Sequence, residues 1–327
     1  MLGYADLINH TIVLRKQEEK TYKCFDFLSP DFQQQQALQE DAMQNCLGRI
    51  RPNATFMDET WREKICEWAY NIVDYFNYDR TLVFVCMNFL DRYAMKRRVD
   101  TKTYQLAAMT ALFLVVKTYE PRSSSRILDV GSLAKLSQST FSENSIIAME
   151  LEMLQMLEWN LFPPTTHTFA MNLSNILLSI IYSIEDCPKP SLNARQEVEE
   201  LSRFLTELSV CDYFFVTQNP SSVGIASLLI AVEVVGQEEY DPSLIQIFLQ
   251  RLYHETSING YSPEVQECKA RLRSTYEEGG FSKPVQEIHC DSAIQDCNRD
   301  DDEETVKEDS DSLNCIPSPV CVSGVNT

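Results

Sequence analysis

Glycine is scarce in this chain, with 9 among 327 residues, and evenly spaced short runs of alternating polar and apolar residues are missing. A β-sandwich or β-barrel needs such runs, separated by turns, so their absence favours helices. Hydrophobic residues make up 44% of the chain. That is enough for a buried core in one large domain or two domains of ordinary size. We predict an all-α globular fold.

Sequence motifs for catalysis and metal binding are also missing. There is no G-x-G-x-x-G, no Walker-type loop and no H-R-D triplet, so the chain lacks phosphoryl-transfer machinery of its own. Its 4 histidines are isolated and its 11 cysteines include no C-x-x-C pair, which disfavours a zinc site. Scattered cysteines in odd number suit reduced thiols better than a disulfide framework. We expect no enzyme activity, no cofactor and no metal, and a location in nucleus and cytoplasm.

Acidic residues outnumber basic ones, so the formal net charge is −20 and the pI is about 4.6. Binding to a phosphate backbone depends on lysine and arginine, so we expect protein partners and no direct contact with nucleic acid. The longest apolar runs, ALFLVV and SLLIAVEVV, are well short of the roughly 20 residues of a membrane span. The first ten residues show no basic segment followed by an apolar one. We expect neither membrane insertion nor secretion.

Helical periodicity begins after residue 36. Residues 1–36 carry mixed charge and a short glutamine run, and we predict a loosely ordered, flexible N-terminal arm. Leu38, Met43 and Leu47 predict a short helix over residues 37–48. Further apolar stripes predict helices over residues 59–76, 80–94, 101–119, 130–136 and 140–157. The helix over 101–119 is apolar nearly all round, so it is expected at the centre of a bundle.

The last of these helices has a predicted start and stop. Residues 140–143 (TFSE) have the form of a capping box, with Thr140 as the cap, and the two prolines of FPPT (162–165) cannot continue a helix. The residues expected to pack in the core are Ile147, Met149, Leu151, Leu154 and Leu157.

After the prolines the pattern restarts, with helices predicted over residues 167–184, 192–215, 220–236, 242–256 and 263–277. The segments LFLVVK (112–117) and LLIAVE (228–233) correspond position by position, but a glutamate replaces the lysine. This repetition predicts two tandem five-helix bundles, over residues 37–162 and 163–284.

The final segment, residues 285–327, is strongly acidic and has no helical stripe, so we predict that it is disordered. Ser318 precedes a proline and is a candidate phosphosite, and Thr305 and Ser310 are candidates in acidic contexts. The segment is open to two interpretations, a turnover signal or a solvating tail.

Several segments in a fixed order resemble the cyclin box. They are R-x-x-I-C-E-W (62–68), MNFLDRY (87–93), AAMTALFLVVKTYE (107–120) and MELEMLQMLEWNL (149–161), which prolines follow. DYFFVTQNPSSVGIAS (212–227) is similar to the segment that leads into the third helix of a second cyclin fold. The MEL and LEWNL elements look most similar to D-type cell-cycle cyclins. The resemblance covers about residues 37–277 and implies two tandem cyclin-type bundles.

This resemblance implies roles for two pairs of charged residues. Arg62 and Asp91 are expected to form a structural ion pair inside the fold, where removal of one partner would leave a buried charge. Lys117 and Glu150 are expected to face a partner kinase and to bind backbone groups near its regulatory helix. From spacing alone, Lys117 could instead extend to water and Glu150 could lie on a solvated face. Glu233, which replaces lysine in the second repeat, indicates that only the first repeat carries this contact.

The resemblance also implies a patch for docking of kinase substrates or inhibitors. It would comprise Trp61, Ile65, Trp68 and Gln105. Trp68 and Gln105 match the family residue, but Trp61 and Lys64 replace methionine and isoleucine, and Asn71 replaces the acid that would pair with a basic docking motif. Either the patch is functional, or Ile65 and Trp68 are core residues.

As a whole, the resemblance implies a regulatory subunit that binds and activates a cyclin-dependent serine/threonine kinase and controls cell-cycle progression. Catalysis would then belong to the partner. The alternatives are a transcription-associated cyclin, or a double-cyclin-fold scaffold in transcription that binds no kinase. A scaffold that contacts DNA needs a basic face, which a net charge of −20 disfavours.

Overall fold

The computed structural model describes residues 3–47, 56–120, 128–138, 140–185 and 188–278, and for residues 39–47 only the backbone. The acidic segment 285–327, with Thr305, Ser310 and Ser318, lies outside the described residues, as do the side chains of Met43 and Leu47. The predictions made for them stay predictions.

Twelve α-helices and one 3₁₀ turn account for most of the described residues, which contain no β-strand. The elements are α1 (Tyr4–Lys20), α2 (Pro30–Leu47), α3 (Glu59–Phe76), α4 (Thr81–Ala94), α5 (Thr101–Tyr119), α6 (Val130–Leu136), α7 (Glu143–Met156), α8 (Thr166–Ser183), α9 (Leu192–Cys211), the turn Tyr213–Thr217, α10 (Pro220–Val235), α11 (Pro242–Thr256) and α12 (Pro263–Glu278). The predicted all-helical fold is confirmed.

Helices α3 to α7 form the first bundle, with α5 at its centre against α3, α4 and α7. Side chains on nearly every face of α5 are buried, as its apolar composition predicts. Aspartates cap three of these helices. Asp58, Asp100 and Asp129 accept hydrogen bonds from the backbone N–H three residues ahead, at 2.9, 2.7 and 2.6 Å. These local caps fix where α3, α5 and α6 begin.

Helices α8 to α12 form the second bundle, and α10 occupies the central place that α5 has in the first. It packs against α8, α9 and α12. Its first residue is Pro220, which suits a first helical turn because that position needs no N–H partner. The predicted helix over 192–215 is too long, because α9 ends at Cys211 and the chain turns sharply through Tyr213–Thr217.

The predicted loosely ordered arm over residues 1–36 is wrong, because helix α1 packs against α8 and α11 of the second bundle. Leu7, Ile8 and Leu14 are part of that bundle's core. The Glu18 carboxylate, buried beside α10, accepts hydrogen bonds from the Ser221 N–H at 2.8 Å and the Ser221 hydroxyl at 2.6 Å. Burial raises the pKa of Glu18, although the bonds from Ser221 oppose this shift.

The second departure from the N-terminal predictions concerns α2, which starts at Pro30. The short helix predicted over 37–48 is therefore the second part of a longer one. Leu28 and Phe32, at the start of this segment, pack against the first bundle's core.

Helix α7 differs from its prediction in its cap and in its buried face. Ser142, not Thr140, is the cap, since its hydroxyl accepts a hydrogen bond from the Ser145 N–H at 3.2 Å. Met149 and Leu157 are buried as predicted, Leu154 is partly buried, and Ile146 and Met153 are further core residues. Ile147 and Leu151 were predicted to pack in the core, but they are 51% and 55% exposed.

Candidate functional site

Lys117 and Glu150 lie together on the surface of the first bundle. Lys117 is in the last turn of α5 and Glu150 is on α7, and Lys117 Nζ donates a hydrogen bond to Glu150 Oε1 at 2.8 Å. The Lys117 side chain is 55% exposed and that of Glu150 only 13%. The glutamate is therefore held against the bundle, while the lysine remains accessible from outside.

The exposed residues Ile147 and Leu151 flank Glu150 on α7, three residues before it and one residue after it. Residues at this spacing share one side of a helix. We call the surface formed by Lys117, Glu150, Ile147 and Leu151 the α5–α7 face. Apolar side chains around a few fixed polar groups are typical of a protein–protein interface.

More apolar surface lies at the ends of the same two helices. Tyr119, the last residue of α5, donates a hydrogen bond from its hydroxyl to the Leu161 carbonyl at 2.9 Å. Its ring lies 5.4 Å from that of Phe162, which is 62% exposed. Trp159 is also exposed. The chain after α7 thus adds aromatic side chains next to the end of α5.

Arg62 and Asp91 form a buried ion pair between α3 and α4. Two parallel hydrogen bonds join the guanidinium to the carboxylate, from Nε to Oδ1 at 2.8 Å and from Nη2 to Oδ2 at 2.9 Å. Burial by itself lowers the pKa of Arg62, but Asp91 outweighs this and raises that pKa above its usual range. The structure thus joins the two residues that the sequence predicted to pair.

Arg62 also joins the two bundles. Its Nη1 donates to the backbone carbonyls of Val210, at 2.8 Å, and Cys211, at 3.3 Å, at the end of α9. These carbonyls are among the last of the helix, so they lack partners within it. Arg62 therefore donates hydrogen bonds to groups of both bundles, and this arrangement indicates a structural role.

Arg92, the neighbour of Asp91, also has a structural role. Its two terminal nitrogens donate to the carbonyls of Leu157, at 2.9 Å, and Asn160, at 2.8 Å. Leu157 is the C-cap of α7, where a cation is favourable, and Asn160 lies in the chain just after it. The charges of the FLDRY segment thus stabilise packing between helices.

The predicted docking patch is mostly buried. Ile65, Trp68 and Gln105 have little solvent exposure, and only Trp61 is partly exposed. Ile65 and Trp68 belong to the first bundle's core. Of the two interpretations left open by the sequence, the burial of these side chains supports core packing.

Glu233 in the second bundle occupies the place that corresponds to Lys117. It lies near the end of α10 and pairs with two cations on α12, Lys269 at 2.7 Å and Arg273. Both repeats therefore join their central helix to their last helix by an ion pair, but with the signs exchanged. A partner that binds the positive side chain of α5 would meet a carboxylate at the equivalent place in α10.

Within the described residues, no cluster of three or more His, Cys, Asp or Glu side chains has the arrangement of a metal site. No helix there is both long enough and apolar enough to span a membrane.

Similarity to known protein families extends over most of both bundles. Residues 30–162 match the family described as cyclin, N-terminal domain, and residues 164–268 match cyclin, C-terminal domain. The chain belongs to the cyclin family. The matched regions correspond to the two bundles, which are two tandem cyclin domains.

Curated cyclins with sequence similarity include members from two parts of the cell cycle. The G1/S-specific cyclin CCN1 of Candida albicans (strain SC5314 / ATCC MYA-2876) is 30% identical over 166 residues, which are 49% of this chain and 24% of that protein. The G2/mitotic-specific cyclin-B of Hydra viridissima is 23% identical over 198 residues, which are 61% and 46% of the two chains. This cyclin thus spans about a quarter to a half of the length of these two relatives. The similarity to D-type cyclins stays a prediction.

A solved structure with the same fold is that of a viral cyclin from herpesvirus saimiri. Its TM-score is 0.51 at 17% identity, and the match covers 84% of this chain and 99% of the viral one. At this identity the likeness concerns the fold alone.

Proposed function

We propose that this cyclin is the regulatory subunit of a cyclin-dependent serine/threonine protein kinase and controls progression through the cell cycle. It binds the kinase through the α5–α7 face, orients the kinase's regulatory helix and thereby completes the kinase's lysine–glutamate pair. The kinase performs the catalysis, in the nucleus and cytoplasm. The ion pair between Lys117 and Glu150, set among exposed apolar side chains, is the observation that carries this proposal.

The ion pair leaves enough hydrogen-bonding capacity for a partner. A lysine ammonium has three N–H donors, and the bond to Glu150 uses one of them. The bond to Lys117 uses one oxygen of the Glu150 carboxylate, and a carboxylate can accept several hydrogen bonds. Lys117 can thus donate to carbonyls, and Glu150 can accept from amides, of an incoming backbone while they hold each other in position.

Lys117→Ala and Glu150→Ala are each expected to weaken kinase binding about tenfold or more, because each removes a fixed charge at the centre of the contact. Kinase activation should fall in parallel. The measurement is calorimetric binding and substrate phosphorylation with a panel of purified cyclin-dependent kinases. The ion pair lies at the surface, with the Lys117 side chain more than half exposed, so its loss should cost little folding energy and both variants should remain folded by circular dichroism.

Glu233→Ala is the matched control, since it removes the equivalent pair of the second bundle and should leave kinase binding unchanged within about twofold. If Lys117→Ala and Glu150→Ala bind as well as the unmodified protein, the α5–α7 face is not the binding site. If the folded protein binds no kinase in the panel, the regulatory-subunit proposal fails and a scaffold role in transcription replaces it.

A further inference from the structure

Two cysteines from different bundles meet beside Arg62. Cys66 lies on α3 and Cys211 is the last residue of α9, and their sulfur atoms are 3.1 Å apart. Both are free thiols. Cys66 is fully buried, whereas Cys211 is partly exposed. Cys211 is therefore the member of the pair nearer to solvent, and Cys66 is the buried member.

We propose that Cys66 and Cys211 are a redox-active dithiol, which hydrogen peroxide oxidises to a disulfide that fastens the two cyclin domains together. This inference does not depend on the proposed kinase partner. Disulfides in intracellular proteins are usually transient and redox-sensing. A pair of reduced thiols held at hydrogen-bond distance suits such a reversible role.

The geometry needs little change for the bond to form. A disulfide has a sulfur–sulfur distance of about 2.05 Å, so the two atoms must approach by about 1 Å. Both thiols lie at the contact between α3 and the end of α9, where Arg62 already donates to the Cys211 carbonyl at 3.3 Å. The backbone that carries Cys211 is thus anchored to the helix that carries Cys66.

Burial and electrostatics together distinguish the two thiols. The hydrogen bond from the Cys66 thiol lowers the pKa of Cys211, burial opposes this shift, and Arg62 adds to it. Burial raises the pKa of Cys66. The thiolate is the reactive form, and Cys211 is the partly exposed member of the pair, so Cys211 is the first to react and Cys66 is the resolving thiol.

The reaction balances with one peroxide for one disulfide. The Cys211 thiolate attacks a peroxide oxygen, the O–O bond breaks, and the released hydroxide takes up a proton and leaves as water. Cys211 is then a sulfenic acid. The Cys66 sulfur attacks the Cys211 sulfur, the S–O bond breaks, the S–S bond forms, and a second water leaves with the Cys66 proton. Two thiols are oxidised by two electrons, and the peroxide is reduced to two waters.

The three other cysteines whose side chains the structure describes are poorer reactants. Burial raises the pKa of Cys24 and of Cys268 to about 12, so both stay protonated at neutral pH. Burial also raises the pKa of Cys86 well above its usual range. Cys24 is thus a suitable control for general oxidation of the chain.

Oxidation should also stabilise the fold, because the disulfide joins two cysteines that are 145 positions apart and so closes a long stretch of chain. The melting temperature of the full chain is expected to rise by about 5 °C or more after treatment with hydrogen peroxide. Dithiothreitol should reverse this rise. Peptide mass spectrometry without reduction should find the peptides of Cys66 and Cys211 linked, with the loss of two hydrogens.

Cys211→Ser, at a partly exposed position that should tolerate the change, is expected to abolish the linked peptide and the melting shift, whereas Cys24→Ser should keep both. Cys66→Ala tests the resolving role and should leave Cys211 as a sulfenic or sulfinic acid. The proposal is overturned if peroxide leaves Cys211 of the unmodified protein reduced, over-oxidised without a link to Cys66, or joined to a different cysteine.

Discussion

Arg62→Ala is expected to lower the free energy of unfolding by about 3–5 kcal/mol, because it leaves the Asp91 carboxylate buried without its partner. The loss has a second component. Arg62 also donates to the carbonyls of Val210 and Cys211 in the second domain, so its removal leaves acceptors of both domains unsatisfied. The measurement is urea denaturation followed by circular dichroism and tryptophan fluorescence.

The loss of these contacts between domains should also change the form of the transition. Without Arg62 the two domains are less strongly coupled, so separate transitions are expected to replace a single one. Asp91→Ala should lower the free energy of unfolding by a similar amount. The two domains should remain more strongly coupled in this variant, since the bonds from Arg62 to Val210 and Cys211 remain available. In the Asp91→Ala variant, Arg62 stays buried and ionised, because an arginine cannot lose its charge at neutral pH.

Lys96→Ala provides the control, because it removes an ion pair with Glu158 in which both side chains are exposed. Such a pair contributes about 1 kcal/mol or less. The double variant Arg62→Met with Asp91→Leu should be less destabilised than either alanine variant, since no unpaired charge remains. If Arg62→Ala costs no more than Lys96→Ala, the buried pair does not stabilise this fold.

Helix positions could be predicted from sequence where local interactions set them. The predicted limits of α3 and α6 are those observed, because aspartates at positions 58 and 129 cap a helix that starts immediately after them. Helix α1 was missed because its stabilising contacts are distant in sequence. Asn172 binds the Leu7 carbonyl 165 positions away, and Ser221 binds Glu18 across 203 positions. No local pattern contains such partners.

The candidate site was predicted in part. The residues Lys117 and Glu150 came from the family resemblance, but their direct contact required the structure. The sequence placed Ile147 and Leu151 in the core because apolar residues on a helix usually mark its buried face. Their exposure shows that α7 has apolar surface on two sides. The Cys66–Cys211 contact could not be predicted, since the two thiols belong to different repeats.

Gly224→Ala is expected to lower the free energy of unfolding by about 2–3 kcal/mol, because an added methyl group would be too close to helix α8. A Cβ atom at Gly224 would lie 2.8 Å from Phe169 Cβ and 3.0 Å from the Ala170 nitrogen and the Thr166 oxygen. Two of these atoms belong to the backbone, so no side-chain rotation can make room. The centre of the second domain must expand instead. Thermal and urea denaturation measure the loss.

Gly131→Ala separates this clash from the general effect of alanine in a helix. Gly131 lies in α6, and a Cβ there would meet its nearest atoms, in Glu143 and Asp129, at 3.5 and 3.6 Å, which is ordinary contact. Alanine favours a helix over glycine by about 1 kcal/mol, so this control should be neutral or stabilising. Both variants replace a helical glycine by alanine, and only Gly224→Ala adds a clash, so the difference between them reports mainly the cost of moving α8 from α10. If Gly224→Ala is as stable as Gly131→Ala, the close packing of α8 on α10 is not needed at this crossing.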